Sequence, residues 1–296
     1  MRRRGLPPGS ETAAGPAPGF GELRRIGLCL GTQSLLIGLA LLALASPARA
    51  LSVNAREAGV YDLTTGEWLY EKRADVPVPI ASITKIAAAL TFRRLTHHLE
   101  EDLDREVTIT REDWIHAGKT RLRIGDVVPA RTLLRLALVA SDNCAARALA
   151  HGSGLSPEAF GYKMQELAWG LGCRRTQFVE SSGLDPRNVA SVRDVVILFR
   201  EAMATPAIRE VMGTTEFMLP TRRGARKVVH SSRMLRYRHE VVAAKTGYLA
   251  AAGYCLVQYV EDEQGPFITV VLGTPSRGAR IRESTRLIEY TRRKRT

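Results

Sequence analysis

Ser82 and Lys85 stand three residues apart, Ser141, Asp142 and Asn143 form a run, and Lys245, Thr246 and Gly247 form another. In that order they supply a hydroxyl, an amine, a second hydroxyl, an amide and a second cation. If Ser82 opens a helix, Lys85 shares its face and the two side chains meet. A serine hydroxyl is a weak nucleophile until a base takes its proton, and a desolvated lysine amine is such a base. A second cation nearby, such as Lys245, would depress the Lys85 pKa and make it a better base near neutral pH. A helix start at Ser82 also offers backbone N–H groups to an oxyanion. A lone serine and lysine at this spacing arise by chance in a chain of average composition. The ordered set of three motifs is what points to acyl transfer.

In the second motif, Ser141 would relay a proton to a leaving amine and Asn143 would hydrogen-bond a substrate amide. Asp142 is expected to point away and cap the next helix, as a serine or aspartate at such a break often does. In the third motif, Lys245 and Thr246 would hold a carboxylate. Gly247 would let a substrate lie close along the strand edge. The six histidines show no metal-ligand spacing, and His97 and His98, being adjacent, point to different sides of a helix. No metal and no cofactor is expected.

These groups need elements to hold them. Val60–Tyr70 reads as a hairpin around Thr64, Thr65 and Gly66, and Pro77 and Pro79 keep the approach to Ser82 extended. A helix is predicted over 82–95 from the spacing of Ile83, Ile86, Ala87, Leu90 and Phe92. Further helices are predicted over 132–140, stopping at Ser141, then 145–150, 158–170 and 192–203. Three strands follow, over 241–246, 254–260 and 267–272, with turns at 247–253 and 262–265. A last helix runs over 280–290. A hairpin first, helices in the middle and strands last is an α+β plan, with one antiparallel sheet and a helical lobe.

The first 50 residues stand apart. Arg2, Arg3, Arg4, Arg24 and Arg25 precede an apolar run over 26–45, and Ser46-Pro47-Ala48-Arg49-Ala50 places small residues at a cleavage point. This reads as a secretory signal cut after Ala50. The alternative is an uncleaved anchor, since the run is long enough to span a bilayer. Residues 51–296 would then be the catalytic domain, acting in the periplasm or elsewhere outside the cytoplasm. The chain carries a formal net charge of +13. Its arginines are scattered, with no aromatic interleaving and no nucleic-acid motif, so the charge suits an anionic cell wall rather than a nucleic acid. Arg292-Arg293-Lys294-Arg295 reads as a solvated end. Cys144, Cys173 and Cys255 make no disulfide framework, and Cys255 reads as core.

The wording around the motifs resembles a known family. Pro79-Ile80-Ala81-Ser82-Ile83-Thr84-Lys85, Leu138-Val139-Ala140-Ser141-Asp142-Asn143-Cys144, and Lys245-Thr246-Gly247-Tyr248 with Ala252-Gly253-Tyr254 resemble the low-molecular-weight penicillin-binding proteins. These are serine D-alanyl-D-alanine carboxypeptidases and endopeptidases. Phe178 followed by Gly183-Leu184 is similar too, and the likeness runs from about Ala55 to Tyr290. It implies a β-lactamase/transpeptidase-like fold, peptidoglycan peptides as substrate and β-lactams as inhibitors.

The resemblance also implies roles. Ser82 is the acylated nucleophile and Lys85 its base. Ser141 and Asn143 form the second element, and Lys245 and Thr246 bind the substrate carboxylate. The N–H groups of Ser82 and Tyr248 form the oxyanion hole, and Arg280 stands where relatives carry a carboxylate-binding arginine. Where relatives have an Asn-rich stretch this chain has His230-Ser231-Ser232-Arg233-Met234-Leu235, to which no role is given. Many relatives continue into a β-rich domain and a membrane anchor. This chain ends soon after the last helix, which resembles the endopeptidase branch. A β-lactamase would need a carboxylate to activate water, for which Glu180 is the candidate. A non-catalytic wall-binding protein is the remaining alternative.

Overall fold

Asp62 closes the first hairpin by accepting the N–H groups of Thr64 and Thr65 through one carboxylate oxygen, at 2.8 and 3.3 Å. This Asx-type turn joins β1 (Glu57–Asp62) to β2 (Trp68–Lys72). The structure, a computed structural model, describes residues 51–96, 103–221 and 224–296. The expected leader and the His97–His98 pair lie outside them.

The chain then passes through β3 (Val78–Pro79) and a tight 3-10 turn, Ala81–Ile83, into α1 (Thr84–Leu95). Ser82 therefore sits two residues ahead of the α-helix, in the turn that leads into it. The helical lobe continues with β4 (Glu106–Thr108), α2 (Arg111–Trp114), β5 (Val127–Pro129), α3 (Ala130–Val139), α4 (Asn143–His151) and α5 (Pro157–Gly170). It closes with β6 (Val189–Ala190), α6 (Val192–Ala204) and α7 (Pro206–Gly213). Its helices begin where side chains can cap them: Asp142, Ser156 and Ser191 accept the N–H groups of Ala145, Ala159 and Asp194.

A hairpin, β7 (Glu216–Thr221) and β8 (Gly224–Val229), then precedes α8 (Arg233–Tyr237). The sequence reading missed this hairpin because β8 is mostly exposed, and in β7 the alternation of buried Phe217 and Leu219 is obscured by the apolar but exposed Met218 and Pro220. Three strands follow: β9 (Val241–Leu249), β10 (Gly253–Asp262) and β11 (Gly265–Thr274), and then the long helix α9 (Arg277–Arg295). β9 runs three residues past Thr246, so the turn before β10 is shorter than expected.

The main sheet is antiparallel in the order β2-β1-β11-β10-β9, which leaves β9 as an edge. Alternate residues of β11 face opposite layers. Ile268, Val270 and Leu272 join the core of the helical lobe, together with buried Phe92, Phe160 and Phe199. Each such phenylalanine contributes roughly 1.5–3 kcal/mol by leaving water. On the other face Thr269 meets Gln258, which also donates to Ser284 of α9. The sheet is thus covered on both sides, by the lobe and by α9.

The end of α9 corrects one expectation. Arg295 is nearly buried, with its side chain only 8% exposed, and lies 2.9 Å from Asp62. It also donates to the carbonyls of Gly265 and Pro266, and its guanidinium stacks on Phe267. Arg292 pairs with Glu240 and Asp262. The basic end is therefore a clamp on two hairpin turns, because acidic turn residues stand where the helix finishes. Arg295→Ala should destabilise the fold by about 2–4 kcal/mol, since it strands a buried carboxylate. Thermal melting should fall by about 5–10 °C. Burial alone would raise the Asp62 pKa, but the N–H of Thr64 and the guanidinium of Arg295 hold it below its usual value. The stabilisation is present above the unfolded pKa and lost as pH falls through the folded one. The gap between wild type and variant should shrink in acid.

Candidate active site

The turn at Ala81–Ile83 is shaped by its neighbours. Ala81 has a positive φ of 49°, and Gly183 and Gly247 both press on its backbone. A Cβ on Gly247 would lie 2.9 Å from the Ile80 carbonyl oxygen and 3.3 Å from the Ser82 nitrogen. The missing side chain lets β9 pack against the serine turn. That is its structural use, where the sequence reading gave the space to a substrate.

Lys85 is fully buried, and its Nζ lies 2.9 Å from Ser82 Oγ and 2.7 Å from Asn143 Oδ1. It also donates to the carbonyl of Ser182. A neutral amine has two N–H donors and one lone pair. The amide oxygen and the carbonyl accept the two donors, which leaves the lone pair for the Ser82 hydroxyl proton. The Lys85 pKa is pushed down to about 7, chiefly by burial and also by Arg147, while Glu180 and Asp142 pull it upward. Lys245 is held well below its usual value as well, by burial first and then by Lys85 and Arg280.

Ser141 takes a positive φ of 60° in the break between α3 and α4. Lys245 donates to its hydroxyl at 2.8 Å and to the carbonyl of Thr246 at 2.9 Å. Asn143 donates its amide to the Ala117 carbonyl at 2.9 Å, which leaves one N–H over. Asp142 caps α4, as expected, by accepting the Ala145 N–H at 3.2 Å. Thr246 donates to Ser231 Oγ at 2.8 Å. Arg280 is buried beside the same strand, donating to the carbonyls of Gly247 and Cys255 at 3.4 and 3.3 Å. Burial lowers its pKa to about 10, so it keeps its charge at neutral pH. Tyr248 is exposed, its ring 4.3 Å from that of Tyr254. Ser82, Lys85, Ser141, Asn143, Lys245 and Thr246 are thus brought together, with Tyr248 and Arg280 flanking them on the strand side. Cys144, next in the chain to Asn143, is buried, which raises its pKa to about 12, so its thiol stays protonated and inert.

The profile described as D-alanyl-D-alanine carboxypeptidase matches residues 44–276. The chain belongs to this family. It is 31% identical over 233 residues to the D-alanyl-D-alanine endopeptidase of Pseudomonas aeruginosa, covering 77% of this chain and 74% of that protein. The solved D-alanyl-D-alanine carboxypeptidase of Mycobacterium tuberculosis superimposes with a TM-score of 0.75 at 25% identity, covering 83% of this chain and 94% of that one. A Listeria monocytogenes penicillin-binding protein solved with cefotaxime bound gives 0.71 at 27% identity, over 81% of this chain and 98% of that one. The fold is accordingly the transpeptidase-like α+β fold of this carboxypeptidase family.

Within this family member, several contributors were hidden from sequence reasoning. Glu180, weighed as a hydrolytic carboxylate, is fully engaged in its own loop. It accepts the N–H groups of Ser182 at 2.7 Å, Gly183 at 2.5 Å and Leu184 at 3.0 Å, and the Asn188 amide at 2.6 Å. It shapes the loop that aims the Ser182 carbonyl at Lys85. His230 and Ser231, given no role, stand beside Lys245 and Thr246. The His230 Nδ1 accepts the Ser232 N–H, and burial with nearby Lys245 lowers its pKa to about 3, so it adds no third charge. The Ser231 N–H holds the Val139 carbonyl at 2.8 Å and so ties the third motif to the second.

Proposed function

We propose that this protein is a serine D,D-peptidase of peptidoglycan stem peptides, working through an acyl-enzyme on Ser82. The observation that carries the reading is the buried Lys85 Nζ held against Ser82 Oγ, Asn143 Oδ1 and the Ser182 carbonyl, an arrangement in which the neutral amine keeps its lone pair for the Ser82 hydroxyl. Lys85 takes the Ser82 proton as Oγ attacks the carbonyl after D-alanine. The N–H groups of Ser82 and Tyr248 receive the oxyanion, a role supported by the close packing of Gly247 on the serine turn. Ser141, held by Lys245, passes a proton to the leaving amine. Lys245, Thr246 and Arg280 supply the charge and hydrogen bonds for the leaving group's carboxylate, and Asn143 the bond to the donor amide. Water then releases the acyl group. A β-lactam presents a strained version of the same carbonyl and acylates the same serine.

Endopeptidase action on cross-links is favoured over removal of a terminal D-alanine, in line with the relative of that name from Pseudomonas aeruginosa. The basic, apolar leader over residues 1–50 supports export and cleavage after Ala50, with action in the periplasm or its equivalent. Among the described residues no helix is long and apolar enough to cross a membrane. Purified cross-linked muropeptide dimers and monomeric pentapeptides would separate the two activities. The expected result is conversion of dimers to monomers with a higher kcat/KM than release of D-alanine. Release of D-alanine with dimers untouched would make the protein a carboxypeptidase.

A further inference from the structure

The segment after α2 rides on the same turn and helix that carry Ser141 and Asn143. The Ala117 carbonyl accepts the Asn143 amide at 2.9 Å, and the Arg121 N–H donates to Asp142 at 3.2 Å. Arg147 of α4 holds the Ile115 carbonyl at 2.6 Å. Positive φ angles at His116 and Gly118, 56° and 72°, turn the chain outward between these anchors. Lys119 and Arg121 stand on that turn, both exposed. Neither has a carboxylate partner among the described residues. Of the acids close by, Asp142 caps α4 and holds Arg121's own N–H, Asp113 is bonded to Thr110, Asp126 accepts the Arg123 N–H at 2.8 Å, and Glu112 is exposed on α2. Two exposed cations, without a carboxylate partner among the described residues, therefore stand on the segment that adjoins Asp142 and Asn143.

A peptide crossing the site has a direction. If its leaving group carries a carboxylate to Lys245, Thr246 and Arg280, the acyl-donor chain departs past Asn143 and Ala117. Each residue further along the donor moves outward toward Lys119 and Arg121. Stem peptides are acidic on that side, since a glutamate precedes the last residues of the donor.

Resting on the peptidase reading above, we propose that Lys119 and Arg121 are specificity-determining residues that bind a free carboxylate of the acyl-donor stem, upstream of the D-alanine that acylates Ser82. Both cations are solvated, so the pairing is worth a modest factor and weakens with salt. They act on binding rather than on the chemical step, because they do not touch the reacting atoms.

The test compares two stem peptides, with the α-carboxyl of the donor glutamate free or amidated, as substrates for wild type and for Lys119→Glu with Arg121→Glu. Penicillin acylation of the same proteins reports whether Ser82 and Lys85 are intact, because penicillin has no counterpart of that glutamate. Wild type should prefer the free acid by about five- to tenfold in kcat/KM, mostly through KM. The double variant should lose or invert this preference while still taking penicillin at the wild-type rate. A preference that persists in the variant, or is absent in wild type, overturns the proposal. If charge reversal spoils acylation, Lys119→Gln with Arg121→Gln replaces it, and a retained preference there is equally fatal. Wild type that takes no penicillin would instead overturn the peptidase reading, and this inference with it.

Discussion

Lys85→Met should slow acylation of Ser82 by about 10³-fold, within the range that a positioned general base supplies. Methionine is of similar length and fills the same buried space, so the fold should survive. The loss is chemical: the Ser82 hydroxyl has no other base within hydrogen-bond distance among the described residues. The pH profile distinguishes this from a packing effect. Lys85 must be neutral to accept the proton, and its folded pKa is about 7. Wild-type acylation should rise with pH, with an apparent pKa near 7, and fall about tenfold per unit well below it. The variant's residual rate should lack this limb. The same depressed pKa bears on stability. Between about pH 7 and the ordinary lysine value, the unfolded chain binds a proton that the folded one does not, so the cost of burying this group is relieved and stability rises as pH climbs through that window. Rate against pH for both proteins, with one penicillin, checks the claim.

Gly183→Ala should damage both stability and catalysis. Its φ is +78°, and a Cβ there would sit 2.1 Å from the Ala81 carbonyl oxygen and 2.5 Å from its carbon. Those atoms are backbone of the serine turn and cannot swing aside. The cost is about 3 kcal/mol or more, from the strained conformation together with the clash. Relief requires the 180–185 loop or the serine turn to shift. Either movement separates the Ser182 carbonyl from Lys85, or Lys85 from Ser82. Acylation should therefore fall by at least about 10²-fold, because a displacement of an ångström at such a site has that effect. Denaturant unfolding and the acylation rate should both move. Wild-type values for both would show that the loop does not support the turn as closely as described.

The parts of the site legible in the sequence are those whose side chains do the chemistry. Ser82 and Lys85 lie one helical turn apart, so local spacing alone brings them together. Ser141 and Asn143 interrupt an apolar helix, which makes them visible as a break. Lys245 is visible by its type, on a strand that is otherwise apolar. What completes the site is mostly backbone. The carbonyls of Ser182 and Ala117 orient Lys85 and Asn143, and a carbonyl has no residue-type signature. Gly183 and Gly247 matter through an absent Cβ, which only the packing reveals. Glu180 was weighed as a water-activating carboxylate and set aside, but its part in shaping the loop stayed hidden, because an acidic side chain in a loop looks the same whether it faces water or its own N–H groups. The fold was legible where strands alternate or run apolar, as in β9 to β11. It was hidden where exposure masks the pattern, as in β7 and β8, and where charges are paired at long range, as at Arg295.

Intact-mass spectrometry of the protein after exposure to a penicillin, followed by peptide mapping and repeated with Ser82→Ala, tests the acyl-serine claim most directly. A single lasting penicilloyl group on the peptide holding Ser82, absent from the variant, is the predicted result. An adduct on another residue, an adduct that persists in Ser82→Ala, or no adduct with the antibiotic left intact would contradict it.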